Sequence, residues 1–145
     1  MDNELYESLV DIVTFLNQPL RLGDQGVLDG PSLLLILQVE RHPQISVGQL
    51  ARRLGRNHSS VSRLVDKLMA TGWLIETDRR DQRVRRVMLS PAGRRGWLQF
   101  KLTREAQLQE KLTGYSVADR AELRRVLHRL ATTLWAVDYD DHHKV

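Results

Sequence analysis

The sequence contains no cysteine. That excludes disulfides, zinc sites built on thiolates, and redox sensing through a thiol. It also lacks any run approaching the roughly 20 apolar residues needed to span a bilayer. Its opening, Met1-Asp2-Asn3-Glu4, is acidic and leads into no apolar signal core, which predicts a cytoplasmic rather than a secreted chain. Internal repeats and low-complexity segments are missing. So are a nucleophile–base pairing and a glycine loop suited to phosphate, so neither an enzyme nor a cofactor is expected. His42, His58 and His128 are isolated, and His142-His143 sits among Asp138, Asp140 and Asp141 in what reads as a polar tail rather than a metal site.

What the chain does have is unevenly distributed charge. Residues 1–50 carry 2 basic and 7 acidic groups, residues 51–104 carry 14 and 4, and residues 105–145 carry 6 and 7. The net charges are therefore −5, +10 and −1, within a total of +4. A basic block in the middle of a chain is the electrostatic footprint of a nucleic-acid surface, although a solvated face or an acidic-lipid site would look the same by charge alone.

Apolar spacing supplies the elements. Leu5, Leu9, Ile12, Val13, Leu16 and Leu20 form one helical stripe, ended by the loop signal Gly23-Asp24-Gln25-Gly26. Asp29-Gly30-Pro31 opens a second helix, which stops near Pro43. Ser46-Val47-Gly48-Gln49 reads as a capping box, with Ile45 and Leu50 placed as a hydrophobic staple. The short helix it starts ends at Leu54-Gly55. Asn57 caps another, whose buried stripe is Val61, Leu64, Val65 and Leu68, with Gly72 as its left-handed stop. Trp73 to Ile75 and Val84 to Leu89 flank a charged tip and predict a β-hairpin. Ser90-Pro91 begins a long helix running to about Thr113, and Ser116 to Asp119 caps a last one. That last helix carries Leu123, Leu127, Leu130, Leu134 and Val137 at heptad spacing, suited either to a dimer seam or to a face buried within the monomer.

The centre of this pattern is a helix-turn-helix. Two helices crossing steeply through a tight turn need a small residue at the contact, a glycine in the turn and an apolar anchor on the second helix. Ala51, Gly55 and Val61 supply these. Projection at 100° per residue places Ser59, Ser62, Arg63 and Asp66 opposite the buried stripe, with Lys67 flanking. Ser59, Ser62 and Arg63 suit the edges of bases in a major groove. Asn57, His58, Ser60 and Lys67 are better placed for phosphates, which the helix N-terminus also favours. At the hairpin, Arg79, Arg80 and Arg83 form a tip able to enter a minor groove. Asp81 there would repel phosphate unless paired, and Arg83 is the expected partner. Arg85 and Arg86 are adjacent and point to opposite faces, so at most one, assigned as Arg85, meets DNA.

With these residues in place, the chain resembles the MarR family (multiple antibiotic resistance regulators) over nearly its whole length. Asp81-x-Arg83-x-x-x-Val87-x-Leu89-Ser90-x-x-Gly93 matches that family's wing signature, and Ser60 to Leu68 matches its recognition-helix consensus. Gly72-Trp73-Leu74 also fits. The connection before Asp81 is one residue shorter than is common, and Glu76 stands where a basic residue is usual. The resemblance implies a mainly α fold with a small β-wing. Residues 29–90 would form a winged helix-turn-helix, 91–113 a connecting helix, and 1–28 with 114–145 a helical dimerisation region. It further implies a homodimer on a pseudo-palindromic duplex operator, controlling transcription, usually as a repressor released by a small aromatic or phenolic effector. Arg83 would be the wing arginine and Asp81 its brace. Relatives that sense zinc use a histidine pair in the long helix after the wing, and Gln107 to Lys111 has none. A metal-responsive regulator and a winged-helix protein adaptor remain the alternative readings.

Overall fold

The computed structural model describes residues 2–22, 26–77 and 83–142, with side chains described as far as residue 135. Six helices and two small antiparallel sheets follow in the order α1 (Asn3–Leu16), β1 (Leu20–Arg21), β2 (Val27–Leu28), α2 (Gly30–Arg41), β3 (Ile45–Ser46), α3 (Val47–Leu54), α4 (His58–Ala70), β4 (Leu74–Glu76), β5 (Arg86–Leu89), α5 (Pro91–Lys111) and α6 (Val117–His142). They fall into two compact units dividing between Glu105 and Ala106. None of the helices is long and apolar enough to cross a membrane among the described residues.

The caps read from the sequence are the ones that form. The Ser46 hydroxyl accepts from the Gln49 N–H at 3.1 Å while the Gln49 side chain accepts from the Ser46 N–H at 3.0 Å. Gly55 and Gly72 both adopt positive φ, 63° and 87°, where a Cβ would be strained. Ser116 and Asp119 cap α6 reciprocally, each bond 3.0 Å long. Two expectations need correcting. Leu20 does not extend the first helix: α1 ends at Leu16, Pro19 follows, and Leu20 pairs with Leu28 in the β1–β2 hairpin. The second sheet has a third strand that the wing alone does not predict. Its order is β3-β5-β4, with Ile45 opposite Val87 and Leu74 opposite Leu89. A two-residue strand carries too little periodicity to be seen before its partner is known.

Within the first unit, Leu35, Ile36, Leu50, Val61, Val65 and Val87 are sealed from solvent and knit α2, α3, α4 and the sheet into one core. Trp97 and Phe100 of α5 stack on each other with centroids 5.6 Å apart and join that core. Arg104 is buried beyond them. It lies over the rings of Phe15 and Phe100 and donates to the Gln18 carbonyl, so a cation ties the end of α1 to α5. Burial holds its pKa below the usual guanidinium value.

Asp29 illustrates how a cap titrates. Its carboxylate accepts from the Ser32 N–H at 2.8 Å and pairs with Lys67 at 3.3 Å. Burial opposes ionisation, but the Ser32 backbone and hydroxyl bonds and the Lys67 ammonium outweigh it and hold the carboxyl below its ordinary pKa. A carboxyl depressed on folding stabilises above its unfolded pKa of about 3.9, and that contribution is lost as pH falls through the folded value. Asp29→Asn, which keeps a capping oxygen without the charge, is therefore expected to melt with a shallower decline than the parent below about pH 4. Asp29→Ala is expected to cost about 1 kcal/mol at neutral pH. Thermal melts taken from neutral pH down through the unfolded carboxyl pKa of about 3.9 would check both.

In the second unit, α6 keeps much of its stripe uncovered by its own chain. Leu127 and Leu134 are exposed, Leu123 and Leu130 partly so, and the side chain of Val137 lies outside the described residues.

Candidate nucleic-acid interface

The turn between α3 and α4 is set by backbone bonds. The Gly55 N–H meets the Arg52 carbonyl at 3.2 Å and the Arg56 N–H meets the Ala51 carbonyl at 3.0 Å, closing α3 through a left-handed glycine. Ala51 and Val61 are both buried, so α4 is anchored close against α3 where the sequence put a small residue and a β-branched one. Asn57 is the cap of α4: its Oδ1 accepts from the Ser60 N–H at 2.8 Å and from the Ser59 hydroxyl at 3.1 Å. Its side-chain oxygen thus serves the helix, and His58 and Ser59, which open α4, are exposed at an end that favours an anion.

Along α4, His58, Ser59, Arg63 and Lys67 are exposed, and Ser60 and Ser62 are half-buried. Arg63 reaches back to the Ser60 hydroxyl at 3.5 Å. Lys67, expected to serve phosphates, makes its exposed ion pair with Asp29. Such a pair contributes little to stability and gives way readily to a better anion. The residues assigned as readers and as phosphate contacts therefore share one helix and its N-terminal end, facing away from Val61, Val65 and Leu68.

Arg85 is different. Expected at the DNA surface, its side chain is turned inward, with 22% of it accessible. The guanidinium bridges α4 and β4 through three side chains. Nη2 donates to Asp66 of α4 at 2.5 Å, Nη1 donates to Ser62 Oγ at 3.2 Å, and Nε donates to Glu76 of β4. Burial pulls its pKa down, but the two carboxylates outweigh that and raise it, so the cation is permanent. The physical reason is charge pairing: Asp66 and Glu76 each hold the one guanidinium, which answers both carboxylates. Glu76, conspicuous in the sequence as an acid where a base is usual, was the signal that pointed here. Arg86, on the other face, donates to the Gln44 carbonyl at 3.1 Å.

Of the wing itself, Arg83 is exposed at the head of β5's approach. Arg79, Arg80 and Asp81 lie outside the described residues, and with them the proposed brace between Asp81 and Arg83. The base of the wing is firm: the Val47 N–H bonds to the Arg85 carbonyl at 2.9 Å and the Thr77 N–H to the Arg86 carbonyl at 3.0 Å. The hairpin is thus tied to the start of α3 by backbone and to α4 by one guanidinium. The arrangement can present donors and cations to an anionic surface. Among the described residues no group of three or more His, Cys, Asp or Glu side chains could hold a metal.

Comparison with known proteins agrees with this geometry. Residues 28–84 match the model of the MarR family. A solved structure of MarR superposes with a TM-score of 0.69 at 18% identity, covering 89% of this chain and 96% of that one. A MarR family protein from Bacillus stearothermophilus gives 0.72 at 21% identity over 90% and 93% of the two chains. A MarR transcriptional regulator from Methanosarcina mazei gives 0.72 at 15% identity, over 94% of each. Likeness at these identities establishes the fold, mainly α with a small winged sheet. Comparison with curated proteins gives no match.

Proposed function

We propose that the chain, whose residues 28–84 match the model of the MarR family, is a transcriptional regulator that reads duplex DNA with α4 and the wing. The observation that carries the reading is the set His58, Ser59, Arg63 and Lys67, exposed on one helix whose opposite side is sealed in the core. A helix that contributes Val61, Val65 and Leu68 inward and donors outward, with its N-terminus uncovered, fits a major groove. Its role is that of a binding protein rather than a catalyst.

Two finer points belong to the same proposal. The chain acts as a homodimer on a pseudo-palindromic operator, which the uncovered apolar residues of α1 (Leu5, Val13, Leu16) and of α6 (Leu127, Leu134) support, because isolated chains seldom leave such stripes in water. It acts as a repressor released by a small molecule. A cleft of about 470 Å³ beside α5, with Met88, Trp97 and Leu98 in its wall and Arg94 and Lys101 as cations, is of a size and chemistry to admit a small aromatic anion.

The test is selection of bound genomic fragments followed by sequencing and titration. A two-fold-related motif is expected, with affinity falling in salt at a log–log slope of about −0.9 per neutralised phosphate. Arg63→Ala is expected to weaken the preferred operator by about tenfold and to relax preference at one position per half-site. Equal loss on all sequences would make Arg63 a phosphate contact instead. Binding no tighter than to random duplex would favour a protein adaptor.

A further inference from the structure

Between Glu40 and Asp66 the chain carries no acidic residue, yet it carries five arginines there, Arg41, Arg52, Arg53, Arg56 and Arg63. The surroundings are cationic enough to act on His42. Burial first, then the guanidinium groups of Arg53 and Arg41, hold its pKa below the ordinary histidine value. Arg53 turns toward α2 and donates to Gln38 at 2.7 Å, and Arg63 reaches Ser60. Arg52 and Arg56 differ from these. Both are exposed, and no side-chain hydrogen bond or ion pair joins either to another residue among the described ones.

The two stand where α3 gives way to α4. The Arg52 carbonyl accepts from the Gly55 N–H at 3.2 Å, and the Arg56 N–H bonds to the Ala51 carbonyl at 3.0 Å. Arg56 immediately precedes Asn57, the cap of α4. Val47, Leu50 and Ala51 take the inner side of α3, which leaves Arg52 on its outer side. When the second helix of a helix-turn-helix enters the major groove, the first crosses the DNA backbone. Cations there meet phosphate oxygens, which every base sequence presents alike.

On the reading of α4 as the recognition helix, we infer that Arg52 and Arg56 form a phosphate-binding edge that is blind to sequence and separate from the reading face of α4. It supplies affinity for any duplex, while Ser59, Ser62 and Arg63 supply the choice among duplexes. Neither guanidinium has a protein partner to surrender. Binding therefore exchanges only water and counterions for phosphate, and its gain is steeply salt-dependent.

The full-length chain and its variants are titrated against the selected operator and against a random duplex, across about 50–200 mM salt. Arg52→Gln and Arg56→Gln remove the charge but keep polarity and most of the reach. Each is expected to weaken both duplexes by one common factor and to reduce the log–log salt slope by about 0.9 for each protomer bound. The parent's advantage over either variant should then shrink about 3.5-fold per protomer between the two salt limits. The ratio of operator to random affinity should stay at the parental value, whereas Arg63→Ala lowers it. Arg52→Lys and Arg56→Lys keep the charge and should keep the slope. Arg95→Gln loses the same charge from an exposed site on α5 and should keep the slope too. Melting curves establish that each variant is folded.

A parental slope in the folded Gln variants would overturn the edge while leaving the regulator reading intact. An equal loss of slope in Arg95→Gln would make the effect one of net charge and overturn it as well. A fall in the operator-to-random ratio in Arg52→Gln or Arg56→Gln would make that residue a base reader and overturn its separation from α4. A parent that binds no duplex would remove the regulator reading itself.

Discussion

Gly93→Ala is expected to destabilise the first unit by about 3 kcal/mol or more, lowering its melting temperature by on the order of 10 °C. The reason is a collision with backbone rather than with a yielding side chain. A Cβ at position 93 would stand 2.1 Å from the Trp73 carbonyl oxygen, 3.0 Å from its carbon and 3.2 Å from Ser90 Oγ. These atoms form the corner where the chain leaves the sheet for α5. The Ser90 hydroxyl donates to the Gly72 carbonyl at 2.5 Å and accepts from the Gly93 N–H at 2.8 Å, and the Ser90 N–H bonds to the Trp73 carbonyl at 3.0 Å. To admit a methyl group, α5 must lift from β4, and Trp97 and Phe100 lift with it. Gly48→Ala is the matched control. Its Cβ would meet nothing nearer than Ser46 Oγ at 3.9 Å, so helix propensity alone operates and the melt is expected to rise slightly. If Gly93→Ala melted within about 2 °C of the parent, a shift below that of 1 kcal/mol, the corner would be plastic and its hydrogen bonds incidental.

Leu50→Ala should produce the second largest effect, and a functional one. Leu50 is fully buried in the middle of α3, one residue beyond the capping box, and belongs to the same core as Val47, Val61 and Val65. Truncation removes three heavy atoms from a packed site and leaves a cavity, at a cost of about 2–5 kcal/mol. The void would lie on the side of α3 that holds α4 at its angle. Duplex affinity measured where the variant is still folded, well below its melting temperature, is therefore expected to fall as well. Val47→Ala nearby removes less volume and should cost about half as much. A Leu50→Ala variant that lost stability but bound DNA as the parent does would show that the angle is fixed by the turn at Gly55 and not by packing.

The parts of the fold that the sequence discloses are those with local causes. Ser46 with Gln49, Asn57, Gly55 and Gly72 each satisfy a backbone requirement within a few residues of themselves, so their roles are readable without knowing the rest of the chain. The glycine at 93 was visible as part of a motif, yet its reason, contact with the Trp73 carbonyl, depends on two elements meeting in space. β3 and the β1–β2 hairpin escaped notice because two-residue strands have no period to detect. The partners of Arg85 were hidden for a related reason. Alternation along a strand says which of two neighbours points outward, but not that Asp66, from a helix 19 positions earlier, meets its guanidinium. Arg104 was hidden for the same cause: its partners Phe15 and Gln18 lie more than 80 positions away.

The sheet order β3-β5-β4 also dictates when the domain can close during synthesis. The helix-turn-helix is complete in sequence at Ala70, but Ile45 has no strand partner until Val87 exists, 42 positions after it. Closing so long a loop is entropically costly and is compensated only when the ladder forms, so β5 acts as the clasp of the whole lobe. A nascent chain at Thr77 displays Ile45, Val47 and the inner side of β4 to water, and at about 5–20 residues per second it remains so for on the order of a second. That interval is the window in which a chaperone, or a second nascent copy, would meet this protein first.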